Sequence, residues 1–443
     1  MNRVLYPYQK KIVDYIKTTE HPALWVSMRL GKTLCTIRAL KDLPGRKLIV
    51  CPKSVIPTWC DELNMERISS YGWANTTDYK QFYLNNGIQF GLPDWVIVNY
   101  EAVTKFPYDN AAYYDYVVID ESVRLKNPQA KLTKFLLNNF RNAKKRICLS
   151  GNPAPNTPLD YFTQFQFLKN EWMGCNNYWK FRHRYFASDL QGWAWWTRKG
   201  SDEVIRKGVQ ENSYVLTRKD VGVANQKVYE KRVVSMPAKL EKEYKRMEKE
   251  FVAKLPDGKE IETKWVLAQL IYLQEMAGGH LLNQEVSDFK VKELINLLEG
   301  ELKGEQVLIW CRFRWEIEAI MKKVIGAEFI NGDVPLDERK KIQDKFNGGK
   351  FNVLIMQIAT GRYGLNLSSA DTCIYFSNTF SYDDRSQSEA RIESNTKRTP
   401  LLYIDLVTKN SIDEDLLKSL KKKEKHSKFF LNSVVENIKE RNK

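Results

Sequence analysis

The feature that most constrains the fold is the alternation of short apolar runs with polar, helix-like stretches, which occurs in two separate regions. In the first region the runs are ALWV (23–26), KLIVC (47–51), DWVIV (94–98), YVVID (116–120) and RICLS (146–150). In the second they are QVLIWC (306–311), AEFI (327–330), NVLIMQ (352–357), TCIYF (372–376) and LLYIDLV (401–407). Strands spaced in this way, with helices between them, form parallel sheets through crossover connections. The sequence therefore predicts an α/β fold with two parallel sheets.

The composition is that of an ordinary globular chain with a strong positive charge. A length of 443 residues is enough for two to four domains of roughly 100–200 residues each. Lys and Arg total 70 against 54 Asp and Glu, which gives a net charge of +16. This excess indicates a polyanionic partner, most often nucleic acid, although a soluble protein with a solvated basic face would look the same.

The cysteines and the apolar segments exclude several classes of protein. The seven cysteines form no CxxC pair, and several lie inside apolar runs, as Cys51 and Cys148 do. This pattern indicates reduced core thiols of a cytosolic protein and argues against a disulfide framework or a zinc site. The N-terminus lacks the apolar stretch of a signal peptide. No apolar segment approaches the roughly 18 residues that a membrane span requires.

The middle of the chain differs from both alternating regions. Residues from about 159 to 285 are rich in aromatic and charged side chains and read as helical, most clearly at 240–255 and 264–276. We interpret them as helical insertions, one beginning at about 159 in a domain of residues 1–225, the other at about 236–285 in a domain of residues 226–443 with a basic tail. A tryptophan cluster is interpreted as the core of the first insertion, the alternative being a surface that stacks on exposed bases. Its members are Trp172, Trp179, Trp193, Trp195 and Trp196.

A phosphate-binding loop is predicted between the first apolar run and the helix-like stretch that follows it. Gly31, Lys32 and Thr33 stand at that junction. Backbone N–H groups at a helix N-terminus point at phosphate oxygens, and the helix dipole favours negative charge. Lys32 is predicted to neutralise the β and γ phosphates and the Thr33 hydroxyl to ligate Mg²⁺. The strict motif has a glycine five residues before Gly31, where this chain has Val26.

A pair of acidic residues ends the run at 116–120. Asp120 is predicted to hold Mg²⁺, and Glu121 to orient and deprotonate an attacking water. The alternative is a solvated acidic pair at the end of a strand. Combined with Lys32, the pair predicts hydrolysis of a nucleoside triphosphate with Mg²⁺.

The segments around these residues, in their order along the chain, resemble the Swi/Snf-type DNA translocases, a branch of helicase superfamily two. In the first half the resemblance rests on LYPYQKKIVDYI (5–16), VSMRLGKT (26–33), LIVCPKSVIPTW (48–59), VIVNYE (96–101), IDESVRLKN (119–127) and CLSGNPAPN (148–156). In the second half it rests on VLIWCRF (307–313), TGRYGLNL (360–367), QSEARIES (387–394) and SIDEDLLKSLKKK (411–423). It spans nearly the whole chain.

The resemblance implies two RecA-like parallel-sheet lobes with helical protrusions and with ATP bound in the cleft between them. Gln9 would read the adenine edge, and Arg29, Leu30 and Gly31 would line the nucleotide beside Lys32 and Thr33. Arg391 would be the arginine that stabilises transition-state charge, with Gln387 and Gly364 completing the site. The implied phosphate contacts to nucleic acid are Lys53, Ser54, Asn99, Lys126, Arg312 and Thr360. Phosphate contacts carry no sequence information, so binding to double-stranded DNA should be sequence-independent and salt-sensitive.

The sequence departs from the family pattern at three positions. Val123 stands where the family usually has a histidine, Asn152 where threonine is usual, and Ser394 where a second arginine is usual. Three possibilities follow from Ser394. Arg391 suffices alone, Arg385 or Arg398 substitutes for the missing arginine, or hydrolysis is slow.

The resemblance therefore predicts an ATP-dependent translocase on double-stranded DNA that uses Mg²⁺, of a compact form more typical of viral or bacterial proteins. We expect it in the cytoplasm of a bacterium or of a virus-infected cell, or in the nucleus if the source is eukaryotic. One alternative is a strand-separating or RNA-directed helicase. Another is an ATP-gated nucleic-acid-binding protein with little turnover.

Overall fold

The computed structural model describes residues 3–73, 94–105, 114–155, 157–189, 195–250, 252–254, 260–262, 265–282, 284–360 and 364–422. The chain forms two compact units, of which the first runs to Ala224 and the second starts at Asn225. Most of the predicted basic tail, from residue 423 onward, lies outside the described residues.

The first unit is built on a parallel sheet with helices between its strands. Its strands are β1 (Ala23–Val26), β2 (Lys47–Cys51), β3 (Ser70–Trp73), β4 (Trp95–Asn99), β5 (Tyr116–Asp120), β6 (Lys145–Ser150), β7 (Phe186–Ser188), β8 (Trp195–Thr197) and β9 (Ser213–Leu216). Its helices are α1 (Pro7–Thr18), α2 (Lys32–Leu40), α3 (Ile56–Met65), α4 (Tyr100–Val103), α5 (Lys131–Asn139), α6 (Phe162–Leu168), α7 (Tyr178–Tyr185) and α8 (Ser201–Asn212). Over the described residues seven strands pair in the order β3-β4-β2-β5-β6-β1-β9, and every pairing is parallel.

The second unit repeats this plan with different connections. Its strands are β10 (Lys227–Val234), β11 (Val252–Lys254), β12 (Glu260–Glu262), β13 (His280–Leu281), β14 (Gln284–Glu285), β15 (Val307–Cys311), β16 (Glu328–Ile330), β17 (Val353–Gln357), β18 (Thr372–Tyr375) and β19 (Leu401–Thr408). Its helices are α9 (Ala238–Glu250), α10 (Val266–Gly278), α11 (Phe289–Glu299), α12 (Arg314–Met321), α13 (Leu336–Asn347) and α14 (Tyr382–Glu389). Among the described residues six strands pair in the order β10-β19-β18-β15-β17-β16, all in parallel. The predicted α/β class is confirmed.

The alternation of side chains along each central strand explains why apolar residues fill both faces of the sheet. In β1, Ala23 and Trp25 pack on one face, whereas Leu24 and Val26 pack on the other. The ring of Trp25 lies 6.1 Å from that of Tyr161 in the core beneath it. Burying a side chain of this kind stabilises the fold by about 1.5–3 kcal/mol. Each unit is therefore a sheet between two apolar layers.

The sequence prediction is wrong in parts of the middle region. It missed the strands β9 and β10. It also described both insertions as helical, although the first carries the hairpin β7–β8 and the second the hairpins β11–β12 and β13–β14. The helix expected over 240–255 ends at Glu250. The missed strands β3, β9 and β10 are all at sheet edges, where one side is exposed and the continuous apolar signal of a central strand is lost.

Two further observations concern the disulfide-linked and membrane-spanning classes of protein, against which the sequence argues. All seven cysteines lie among the described residues as free thiols, six of them buried and Cys60 partly buried. In the part of the chain that the structure describes, the helices are too short or too polar to cross a bilayer.

Candidate functional site

Three loops of the first unit meet at one edge of its sheet. Strands β5, β6 and β1 are neighbours and run parallel, so the loops that follow them leave at the same edge. This carboxyl edge is where open α/β sheets bind ligands. The predicted residues Lys32, Asp120 and Glu121 lie on two of these loops.

The loop after β1 is shaped by a glycine that no other residue could replace without strain. Gly31 caps α2 with a φ of +86°, and a Cβ there would lie 2.4 Å from Nε2 of Gln9. That nitrogen donates to the carbonyl of Leu30 at 3.3 Å. Oε1 of Gln9 accepts from the backbone N–H of Tyr6 at 3.0 Å. Gln9, predicted to read an adenine edge, therefore links the predicted phosphate-binding loop to the N-terminal segment.

Lys32 lies where the loop becomes helix, with its ammonium directed back over the loop. Nζ donates to the carbonyl oxygens of Val26 at 2.8 Å and Ser27 at 3.5 Å. Burial lowers the pKa of Lys32, and the nearby carboxylates of Glu121 and Asp120 oppose that shift. The structure thus brings the predicted lysine and both predicted acids together. Thr33, the next residue of α2, is partly buried beside them.

Asp120 is buried and held by two donors. Trp59 Nε1 donates to its Oδ2 at 2.9 Å, and the backbone N–H of Glu121 donates to its Oδ1 at 3.0 Å. Burial raises the pKa of Asp120, and the Trp59 hydrogen bond and the Lys32 charge act against the increase. The two hydrogen bonds therefore fix the orientation of the Asp120 carboxylate, but they and Lys32 do not fully offset the cost of burying its charge.

Glu121 has a backbone conformation that a non-glycine residue rarely adopts. Its φ is +55° and its ψ is +52°, which costs about 1–3 kcal/mol unless the surroundings impose it. The hydroxyl of buried Tyr100 donates to the carbonyls of both Asp120 and Glu121, at 3.2 Å in the second case. Tyr100 was not singled out from the sequence, because its contact spans twenty residues.

The loop after β6 contacts the loop after β1 and is hydrogen-bonded, through Gln164, to the loop after β5. A Cβ on Gly151 would lie 3.2 Å from Cγ of Met28 and 3.7 Å from Nζ of Lys32, so this loop lies against the predicted phosphate-binding loop. Two residues later, the carbonyl of Pro153 accepts from Nε2 of Gln164 at 2.7 Å. Oε1 of Gln164 accepts from Oγ of Ser122 at 2.7 Å. Gln164 is a further residue that sequence reasoning missed.

Predicted nucleic-acid contacts of the first unit follow neighbouring strands of the same sheet. Exposed Lys53 and buried Ser54 begin a turn of 3₁₀ helix after β2, and Lys126 caps such a turn after β5. Asn99 ends β4, but its side chain caps a helix, since Oδ1 accepts from the N–H of Ala102 at 3.1 Å.

In the second unit, Arg312 and Thr360 follow the neighbouring strands β15 and β17. The backbone N–H of Arg312 donates to Oε2 of Glu316 and to Oγ of Ser377, both at 2.8 Å. Burial lowers the pKa of the Arg312 guanidinium, which lies 5.0 Å from the ring centroid of Phe313. Thr360 is buried, and its hydroxyl donates to the carbonyl of Gln357 at 2.6 Å.

The predicted nucleotide residues of the second unit lie in α14, in the turn that follows it and in the loop after β17. Arg391 is buried, and its carbonyl accepts from the N–H of Leu367 at 3.0 Å. Buried Gln387 donates to both carboxylate oxygens of Asp383 at 3.3 Å. Gly364 has a φ of +49° and lies three residues before Leu367.

Arg385, one of the two possible substitutes for a second arginine, is fully engaged inside the fold. It donates to Oδ2 of Asp405 at 3.2 Å and to Oε1 of Glu389 at 2.8 Å, and lies 3.4 Å from the ring centroid of Tyr375. Against the effect of burial, Asp405 raises the pKa of Arg385 well above its usual value. Arg398, the other, is exposed and donates to the carbonyl of Asn395 at 3.3 Å.

The tryptophan cluster divides into core and surface. Trp172 is buried and stacks on Phe165 at 4.3 Å, as expected of a core residue. Trp179 and Trp196 are 43% and 52% exposed. The Arg182 guanidinium lies 4.4 Å from the ring centroid of Trp179 and 3.9 Å from that of Trp195. Trp193 lies outside the described residues.

Two parallel-sheet units, with a glycine–lysine loop and an acidic pair at the strand ends of the first, are typical of the helicase class of ATP hydrolases. Within this class the chain belongs to the SNF2-related family. The SNF2-related domain matches residues 8–277, and the helicase conserved C-terminal domain matches residues 289–394. The resemblance seen in the sequence motifs is thus confirmed.

Relatives of known sequence include chromatin and phage proteins. The chain is 24% identical to the SWI/SNF-related matrix-associated actin-dependent regulator of chromatin subfamily A-like protein 1 of Xenopus laevis, over 95% of this chain and 43% of that protein. It is 24% identical to the putative protein p41 of Acyrthosiphon pisum secondary endosymbiont phage 1, over 92% and 94% of the two chains. The chain therefore spans less than half the length of the chromatin relative.

Among solved structures, the chain is similar to the Sulfolobus solfataricus SWI2/SNF2 ATPase core in complex with dsDNA. The TM-score is 0.45 at 20% sequence identity, over 98% of this chain and 95% of that one.

Proposed function

We propose that the protein is an ATP-dependent double-stranded DNA translocase, which couples ATP hydrolysis to movement along DNA or to its remodelling. The observation that carries the proposal is the convergence of Lys32, Asp120 and Glu121 at one sheet edge in a member of the SNF2-related family. In this assignment residues 1–225 are the ATP-binding lobe and residues 226–443 are the second RecA-like lobe.

The first unit offers the groups that ATP and Mg²⁺ require. The N–H groups at the start of α2 and the Lys32 ammonium suit phosphate oxygens. The φ of +86° at Gly31 strains any other residue there, so the backbone of this turn stays free of a side chain, as a loop that cradles phosphate requires. The Thr33 hydroxyl and the Asp120 carboxylate are oxygen ligands of the kind that Mg²⁺ prefers. When bound, Mg²⁺ neutralises charge developing on the β and γ phosphates.

Glu121 is proposed as the general base that orients and deprotonates the attacking water. The peptides on either side of its Cα are held by Tyr100 and by the anchored Asp120 carboxylate, so its carboxylate has a restricted range of directions. A positioned base of this kind contributes about 10²–10⁴-fold to a rate. Arg391 is proposed as the charge-stabilising arginine, with Gln387 and Gly364 supporting nucleotide binding.

The proposed DNA contacts are with phosphates and carry no sequence specificity. Lys53, Ser54, Asn99 and Lys126 follow neighbouring strands of the first sheet, and Arg312 and Thr360 follow neighbouring strands of the second. Because the Asn99 side chain caps a helix, we assign its contact to the backbone of that turn. A net charge of +16 supports attraction of a polyanion.

The test is steady-state ATP hydrolysis without nucleic acid and then with duplex DNA, single-stranded DNA and RNA in turn. We expect strong stimulation by duplex DNA, loss of turnover in Lys32→Ala, and loss of turnover with retained ATP binding in Arg391→Ala. Displacement of a third strand from a duplex would then report translocation. Normal hydrolysis by Arg391→Ala would refute its assignment, and equal rates on all nucleic acids would refute the duplex preference.

Strand separation, on DNA or RNA, is a second candidate function that one observation favours. Trp179 and Trp196 are large, exposed aromatic side chains, and the Arg182 guanidinium lies over the ring of Trp179. Exposed aromatic groups of this kind stack on unpaired bases. Unwinding of a forked duplex by the wild type, lost in Trp196→Ala and retained in the control Trp265→Ala, would support it. Trp265 is 77% exposed in the second unit.

A third candidate is an ATP-gated nucleic-acid-binding protein with little turnover. It is favoured by Ser394, where the family has a second arginine, together with the engagement of Arg385 by Asp405. Binding of ATP without hydrolysis on any nucleic acid would support this candidate over the translocase.

A further inference from the structure

A buried chain of hydrogen bonds links two of the three loops at the candidate ATP site. Oγ of Ser122 donates to Oε1 of Gln164 at 2.7 Å, and Nε2 of Gln164 donates to the carbonyl of Pro153 at 2.7 Å and of Asp160 at 2.8 Å. Ser122 and Gln164 are completely buried. We call this chain, from Ser122 through Gln164 to Pro153, the Ser122–Gln164 bridge.

The two ends of the bridge adjoin groups already placed in the site. Ser122 is the residue after Glu121, whose left-handed backbone requires restraint from its neighbours. Pro153 is two residues after Gly151, whose Cα faces Met28 and the Lys32 ammonium. The bridge therefore connects the peptide that carries Glu121 to the loop that lies against the phosphate-binding loop.

The backbone of Gln164 is held in place by its surroundings, so its side chain can restrain both loops. It lies within α6 (Phe162–Leu168), whose apolar side chains are buried in the core beneath the sheet. Its carbonyl accepts from Sγ of Cys148, on β6, at 3.8 Å. A glutamine side chain has both a donor and an acceptor, which is why one residue can hold both loops.

We propose that Ser122 and Gln164 are positioning residues for ATP hydrolysis, which hold the Glu121 carboxylate in register with the phosphate-binding loop. The kinetic part of this proposal rests on the proposed ATPase activity. A displacement of about 1 Å of a catalytic group can reduce a rate by about 100-fold while leaving substrate binding intact. Removing the bridge should therefore affect kcat and leave the KM for ATP nearly unchanged.

The experiment compares Gln164→Met and Ser122→Ala with a matched control, Gln269→Met. Gln269 is also buried and donates to two backbone carbonyls, those of Met247 and Glu248, at 3.0 and 2.9 Å, but it lies in α10. We expect kcat to decrease by about 10- to 100-fold in Gln164→Met, less in Ser122→Ala, and not in Gln269→Met. The double variant should be no slower than Gln164→Met, because both changes break one chain of bonds.

Amide hydrogen exchange supplies a readout that does not depend on turnover. Gln164→Met should increase exchange in the peptides that cover residues 121–125 and 151–154, and Gln269→Met should not. Wild-type protein that binds ATP but does not hydrolyse it would refute the ATPase and leave the exchange test of the bridge intact. Equal kcat in wild type and both site variants, or equal losses in all three variants, would overturn the positioning role. If Gln164→Met does not fold, Ser122→Ala carries the test.

Discussion

Each unit contains a cluster of buried charged side chains, and these two clusters are in opposite electrostatic states. In the first unit burial dominates, so that the pKa of Asp120 is raised and the pKa of Lys32 is lowered. In the second, Lys227 and Arg385 outweigh burial and lower the pKa of Glu389 to about 2, with Lys227 donating to Oε2 of Glu389 at 3.0 Å. Shifts toward the neutral forms are typical of sites poised for chemistry, and shifts toward the charged forms of satisfied structural pairs.

The comparison teaches where substitution should affect activity and where it should affect stability. A buried charge whose pKa is shifted toward its neutral form is held at a cost in folding free energy, so a neutral substitute should destabilise the fold little. Removing a charge whose pKa is shifted toward its charged form leaves its partners uncompensated and should destabilise the fold strongly. The four predictions that follow test this difference, from the largest effect to the smallest.

Glu121→Gln should separate activity from stability in the first unit. We expect kcat for ATP hydrolysis to decrease by about 10²–10⁴-fold, because the amide cannot accept the proton of the attacking water. The free energy of unfolding should change by about 1 kcal/mol or less, because the amide has nearly the same shape as the carboxylate. Denaturant unfolding and single-turnover hydrolysis measure the two quantities. A large loss of stability would place Glu121 with the structural charges.

Arg385→Met should give the reverse result in the second unit. Removing the guanidinium takes a buried cationic partner from both Asp405 and Glu389, and breaking a buried pair costs about 3–5 kcal/mol. Denaturant unfolding measures the loss. Arg398→Met, at an exposed arginine of the same unit, is the matched control and should lie within about 0.5 kcal/mol of wild type. A folded Arg385→Met protein of wild-type stability that has lost ATP turnover would instead make Arg385 the substitute arginine.

A third prediction concerns Glu316, a buried carboxylate of the second unit whose pKa is shifted in the opposite direction from that of Glu389. Burial raises the pKa of Glu316 to about 7, against hydrogen bonds from Ser377 and from the backbone of Phe313. The unfolded chain releases this proton near pH 4.5, so the folded protein binds the extra proton between pH 4.5 and 7 and gains stability as pH falls. Glu316→Gln should abolish a gain of about 2 kcal/mol between pH 7 and pH 5.

The measurement is the free energy of unfolding at several pH values in wild type and Glu316→Gln. His280 and His21 act in the opposite direction, because burial lowers the pKa of each to about 4. Both proteins should therefore lose stability on acidification, and the variant should lose about 2 kcal/mol more than wild type. Parallel profiles would mean that Glu316 is ionised in the folded protein.

The smallest effect is expected at an exposed charge. Lys53→Ala should reduce the salt dependence of DNA binding by a slope of about 1, equally on duplexes of different sequence, because one phosphate contact is lost. Affinity titrations over a range of salt measure it. Lys41→Ala, at an exposed lysine that caps the far end of α2, should leave the slope unchanged. A loss confined to one DNA sequence would contradict a phosphate contact.

The sequence predicted what depends on neighbouring residues and missed what depends on distant ones. The buried runs of β1 and β5 carry their signal locally, and so do Lys32, Asp120 and Glu121, which follow them. The edge strand β10 has alternating exposure and a charged sequence, which hides it. Gln164 accepts a hydrogen bond from a residue 42 positions away, and no local sequence pattern predicts such a bond. The engagement of Arg385 by Asp405 is likewise visible only in three dimensions.

The pairing of β10 with β19 has a consequence for the order in which the second unit can be assembled. The first strand of this unit pairs along its whole length with the last, from Lys227 with Leu401 to Val234 with Thr408. A ribosome adding about 5–20 residues per second takes on the order of ten to thirty seconds to make the intervening chain. During that time β10 has no partner strand in its sheet, whereas the sheet of the first unit is already complete. The sheet of the second unit can therefore be completed only after β19 has been synthesised. A charged, partly exposed sequence keeps β10 soluble until then.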